Sequence, residues 1–144
     1  MASPQHVGKH EICVEKDVVV CRYHGAVSID EIAAIHGIIE EQMSVQPRLF
    51  QVCDLRDLEG LNRDVRAWIA KWSNEHRLAG VALFGASLVM QVAASMIERV
   101  ARLLYRTETP PVYFCRTESE ARTWVDRQRL SAIPANQSNA SHLR

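Results

Sequence analysis

Between Leu55 and Arg63 the chain holds no Ser, Thr or Tyr. This stretch follows the short apolar run Leu49-Phe50-Gln51-Val52-Cys53 and the carboxylate Asp54, which reads as a strand's exit. A strand exit is where α/β proteins keep their sites. A loop without hydroxyls there offers no phosphorylation acceptor and no oxygen nucleophile. Paired cysteines are missing too. Cys13, Cys21, Cys53 and Cys115 each lie in an apolar run, none in a Cys-x-x-Cys spacing, and they read as reduced core residues. Asp54 beside Cys53 argues against a reactive thiolate, because a neighbouring carboxylate disfavours the charged sulfur.

An excess of charge is absent. Seventeen basic residues balance seventeen acidic ones, so no net field steers the chain toward nucleic acid or an anionic surface. No apolar run exceeds a handful of residues, so membrane insertion is not expected. Met1-Ala2-Ser3-Pro4-Gln5 lacks the basic-then-apolar pattern of a signal peptide, and a cytoplasmic location is the expectation. A Rossmann turn would need three spaced glycines, whereas Phe84-Gly85-Ala86-Ser87 has one, and there is no P-loop Gly-Lys-Ser or Gly-Lys-Thr. No cofactor is therefore assigned. The 144 residues suit one domain, long enough to bury about two-thirds of the unfolded chain's surface.

What is present alternates. Runs at 10–14 and 18–23 flank Glu15-Lys16-Asp17 as a hairpin. Ser28-Ile29-Asp30-Glu31 is a capping box, predicting a helix to about Val45 with Ile32, Ile35, Ile39 and Met43 on one face. A strand at 50–54 precedes a second helix from Asn62 or Arg63-Asp64, with Val65, Trp68, Ile69 and Trp72 at helical spacing and Gly80 as its stop. Val81-Ala82-Leu83-Phe84 reads as a strand covered on both faces. Gly85-Ala86-Ser87 turns into a third helix, whose wide apolar face holds Val89, Val92, Ala93, Met96, Ile97, Val100 and Leu104, with Glu98, Arg99, Arg102 and Arg106 on the wet side. Val112-Tyr113-Phe114-Cys115 is a fifth strand, and Thr117-Glu118-Ser119-Glu120 a second capping box. The expectation is an α/β domain over 9–130, a mixed, mostly parallel five-stranded sheet with four helices, between a flexible arm at 1–8 and a disordered tail at 131–144.

Few side chains converge in sequence on a reaction. Asp54 tempts as a phosphoacceptor, but Gly25-Ala26-Val27 and Cys115-Arg116-Thr117 supply neither the acidic pair nor the lysine that Mg²⁺-dependent receivers use. His6, His10 and His24 lack a Cys or acidic residue to complete a ligand set, so no metal site is assigned. His36 has no nucleophile placed to meet it and reads as a boundary residue. Trp68 is expected in the core and Trp72 at its rim. Arg99, Arg102 and Arg106 read as a solvated ridge.

Four features together carry a resemblance: the hairpin ending Tyr23-His24-Gly25, the segment Asp54-Leu55-Arg56, the run Val81-Ala82-Leu83-Phe84-Gly85, and Phe114-Cys115-Arg116-Thr117-Glu118-Ser119-Glu120-Ala121 with Trp124-Val125. Over about 10–129 the layout resembles the STAS domains of bacterial anti-sigma-factor antagonists, and more closely the SpoIIAA-like group that bridges STAS and Sec14-like folds. The resemblance implies a non-enzymatic regulatory module that binds another protein. Phosphorylatable members place an Asp-Ser pair where this chain has Leu61-Asn62-Arg63-Asp64-Val65, so the phospho-switch is not expected. A fixed charge at Asp64 near a helix N-terminus is stabilised by the macrodipole. The candidate partner or ligand surface comprises Asp54, Arg56, Asp57, Asn62, Arg63, Asp64, Gly85 and Ser87, with no catalytic residue. The Sec14 side implies an alternative, a domain binding a small apolar molecule or lipid. A homodimer is compatible with either. An unfilled apolar cavity favours the ligand, an exposed apolar patch the partner.

Overall fold

The computed structural model describes residues 3–105 and 110–142, with Tyr105 and 132–142 described by backbone alone. Strands β1 (Gln5–Val7), β2 (His10–Glu15) and β3 (Val18–Ala26) lead to helix α1 (Ile29–Val45), then β4 (Phe50–Gly60), α2 (Arg63–Glu75), β5 (Gly80–Phe84), α3 (Leu88–Tyr105), β6 (Val112–Cys115) and α4 (Glu118–His142). One sheet holds the strands in sequence order, β1-β2-β3-β4-β5-β6. β1, β2 and β3 pair antiparallel, and β3 through β6 pair parallel. This is the expected mixed, mostly parallel sheet with four helices, carrying six strands instead of five. The sixth strand, Gln5–Val7, lies in the arm expected to be flexible. Gly8 turns back at φ +59°, and Gln5 comes to rest opposite Ile12.

Apolar packing divides between the two faces of the sheet. Ile12, Val19, Cys21 and Cys53 meet Ile32, Ile35 and Ile39 of α1 and Val65 and Trp72 of α2 on one face. Val18, Val20, Phe50, Val52, Ala82 and Phe84 meet Ala121 and Val125 of α4 on the other. Ser28 caps α1 in the expected box: its hydroxyl accepts from Glu31 N, and the Glu31 carboxylate accepts from Ser28 N. At α4, Thr117 Oγ1 accepts from Glu120 N, but the Glu120 carboxylate reaches back to Arg116 N instead of to Thr117.

β4 departs most from expectation. It does not stop at Asp54 but continues to Gly60, because β3 continues beside it through two irregularities that pair His24 with Asp57, Gly25 with Leu58 and Ala26 with Gly60. α2 ends at Glu75 with His76 as its cap, and Gly80 opens β5. The backbone of α4 runs helical to His142, through the segment for which the composition predicts disorder. Among the described residues no helix is long and apolar enough to cross a membrane.

Candidate functional site

Asp54 occupies the level at which β5 and β6 end, opposite Phe84 of β5 and Arg22 of β3. Its carboxylate is buried and fully engaged. Oδ1 accepts from Arg56 N at 3.1 Å and Arg56 Nε at 3.0 Å, while Oδ2 accepts from Arg56 Nη2 at 2.8 Å and Arg22 Nη1 at 3.4 Å. Burial pushes its pKa up, and the Arg56 hydrogen bonds outweigh that and hold it below the usual carboxylate range. Arg22 also donates to Glu118 at 2.7 Å, Glu118 accepts from Arg122 at 3.0 Å, and Arg122 forks onto Glu15 at 2.9 Å. The chain of charges ties β2, β3 and β4 to the first turns of α4. Asp54 is thus a mid-strand residue inside an ion network, not the carboxylate at a strand's exit.

The rest of the expected surface does not converge on one point. Arg56 lies over the Phe84 ring and across Gly85, where φ is +74° and a Cβ would come within 2.2 Å of Arg56 Cγ. Ser87 caps α3, its hydroxyl accepting from Met90 N, and Asn62 caps α2 by accepting from Val65 N at 2.9 Å. Asp57 meets His24 at 3.0 Å. Arg63 and Asp64 stand exposed in the first turn of α2. The stretch from Leu55 to Arg63, read as a loop from the sequence, is largely strand and helix cap.

Two features escaped sequence reasoning. The first is an apolar cavity of about 160 Å³ between the sheet and α1, α2 and α3, lined by Leu83, Ile97 and Ala101 among others. On its wall, His36 of α1 stacks on Trp72 at 4.0 Å, and Trp72 stacks on His76 at 4.7 Å. The indole N–H of Trp68 donates to His36 Nδ1 at 3.2 Å. Burial, with the charge of His76, pushes the His36 pKa down to about 3. The expected order of the tryptophans is reversed: Trp72 is buried and Trp68 lies at the exposed edge. His36 decides this, since a flat ring on α1 leaves a slot for one indole and offers its ring nitrogen to the other. The spacing of Trp68, Trp72 and His76, one turn apart each, was the available signal.

The second is α3. Met90, Ala93 and Ala101 face inward, whereas Leu88, Val89, Val92, Met96, Val100, Leu103 and Leu104 are 40 to 78 % exposed. Five residues of the apolar face read from the sequence, Val89, Val92, Met96, Val100 and Leu104, are thus exposed, and apolar side chains stand on both sides of the helix.

No family model matches the chain, and no curated protein matches it. Among solved structures it is similar to an uncharacterised protein of the DUF3478 family from Shewanella loihica PV-4, described as having a SpoIIAA-like fold. That likeness has 18 % identity and a TM-score of 0.56, and covers 86 % of this chain and 98 % of that one. It is also similar to the anti-sigma factor antagonist SpoIIAA in its unphosphorylated form, at 16 % identity and a TM-score of 0.47, over 90 % of this chain and 98 % of that one. The six-stranded mixed sheet with α4 alone on one face is thus a SpoIIAA-like fold.

Proposed function

We propose that the chain is a non-enzymatic regulatory module that works by binding another protein through the outer face of α3. The observation that carries this reading is the exposed stripe Val89, Val92, Met96, Val100 and Leu103, spaced three or four residues apart along one side of the helix. Single exposed apolar residues are ordinary, but a contiguous row marks an interaction surface. The spacing suits a partner helix laid along it. Exposed Arg99 on the same helix lies beside the row, so the partner is an amphipathic helix flanked by acidic residues. The filled coordination of Asp54 agrees with a module that does no phosphoryl chemistry at that position.

Affinity capture with wild type and with the double variant Val92→Glu/Met96→Glu tests this. The variant should melt like wild type and lose the captured partner. Arg63→Glu, outside the row, should change stability by less than about 0.5 kcal/mol and weaken capture only modestly, since rim charges act on association rate. Equal capture by wild type and double variant overturns the reading, as does a phosphate adduct on the intact protein after acetyl phosphate and Mg²⁺. Sedimentation of both proteins reports whether the partner is a second copy. A second reading, a module that binds a small apolar molecule, is favoured by the cavity under α3.

A further inference from the structure

The cavity separates α3 from the rest of the core. Among the described residues no side chain of α3 belongs to either apolar cluster, while Met90, Ile97 and Ala101 line the cavity instead. At about 160 Å³ it has roughly the size of an apolar cavity that holds one benzene ring.

One of its lining residues carries a donor without an acceptor. Trp72 Nε1–H is buried and has no hydrogen-bond partner among the described residues. An indole nitrogen can only donate, so the Trp68 bond to His36 Nδ1 makes that nitrogen the acceptor and places the ring hydrogen of neutral His36 on Nε2. That hydrogen is not a second orphan, since Nε2 is not among the buried atoms left without a partner. Leaving a buried donor unmade costs more than a formed bond returns, so the Trp72 indole on an apolar cavity points to a missing acceptor. Among the described residues the lining includes no Lys or Arg, and its carboxylate, Glu98, disfavours an anion.

Resting on the ligand reading, we propose that this cavity receives a neutral, single-ring or short-chain molecule with one carbonyl-type oxygen. The apolar body packs against Leu83, Ile97 and Ala101, and the oxygen accepts from Trp72 Nε1–H.

Acetophenone and cumene are near-isosteres that differ by this oxygen, so they separate the donor from the cavity. In ¹⁵N-labelled protein the three tryptophans give three indole N–H signals, and Trp72→Phe identifies that of Trp72. Acetophenone should shift the Trp72 signal and bind about tenfold more tightly than cumene, the worth of one made hydrogen bond. Trp72→Phe should bring acetophenone down to the affinity of cumene, and Ala101→Leu should exclude both probes from a chain that remains folded by circular dichroism. Equal affinities with an unmoved Trp72 signal overturn the oxygen assignment and leave the cavity an apolar site. Binding of neither probe overturns the assignment and the ligand reading together.

Discussion

His36 sits neutral between Trp68 and Trp72, and its neutrality makes folding depend on pH with a definite sign. Burial is the main reason its pKa falls to about 3, and the charge of His76 adds to it. Below the unfolded value near 6.5 the unfolded ring takes a proton that the native ring refuses. Stability is therefore full above that pH and falls as pH drops toward 3, by up to about 1.4 kcal/mol per unit. His36→Gln keeps an acceptor for Trp68 and has no proton to take up. Urea unfolding at pH 7 and pH 5 should show wild type losing about 2 kcal/mol more than this variant, and parallel pH profiles would sink the claim. Glu15, Asp17, Asp54 and Glu118 are held below their ordinary values beside arginines, so their contribution is lost only in more acidic solution. The thiols divide in the same way by surroundings. Burial pushes Cys21 up to about 11 and Cys53 well above its usual range, while Cys13 and Cys115 are half-buried. A thiol reagent should reach at most Cys13 and Cys115 in the native protein and all four on denaturation; fast native labelling of Cys53 would contradict this.

Elements whose ends are written in side chains were legible in the sequence. Ser28 with Glu31, and Asn62, announce α1 and α2 by local hydrogen bonds that need nothing from the rest of the fold. The extension of β4 was not legible, because Arg56, Asp57 and Glu59 look like loop and are held as strand only by the continuation of β3. The candidate site suffered from the same blindness. Placed at an exit, Asp54 seemed open, whereas in mid-strand it lies within reach of Arg22, whose identity as a partner no local pattern reveals. The outward turn of α3 was hidden for another reason: its apolar residues surround the helix, so periodicity alone does not say which side meets the sheet. Asn62 lets a structural role be told apart from a binding one. Asn62→Ala should cost about 1 kcal/mol through loss of the α2 cap, read by chemical unfolding, with partner capture unchanged. A loss of capture without loss of stability would return Asn62 to the binding surface.

At the scale of the molecule, α1, α2 and α3 cover one face of the sheet and α4 alone covers the other, so the anchoring of α4 decides how that second face is closed. Its first three turns are tied at intervals. Arg122 forks onto Glu15, Ala121 and Val125 fill the apolar layer, and Arg129 forks onto Asp17 at 2.7 Å while Arg48 reaches the carbonyl of Gln128. Each of these ties lies before Ser131. Beyond it the sequence turns to Ser, Asn, Ala and Gln with Pro134, a composition with little apolar surface to bury and a residue that removes a helical hydrogen bond. We therefore expect 131–144 to contribute little to the stability of the domain, helical or not. Deleting these residues should leave Tm within about 2 °C of wild type, a shift smaller than the loss of 1 kcal/mol produces in a domain of this size. The complementary variant, Arg129→Ala in the full chain, should lower Tm more than the deletion does, because it releases the fork that ties α4 to Asp17 in the β2–β3 turn. A deletion that costs more than Arg129→Ala would mean that the tail packs on the domain, with Ile133 and Leu143 its only large apolar side chains, and would move the end of the domain from 130 to the end of the chain.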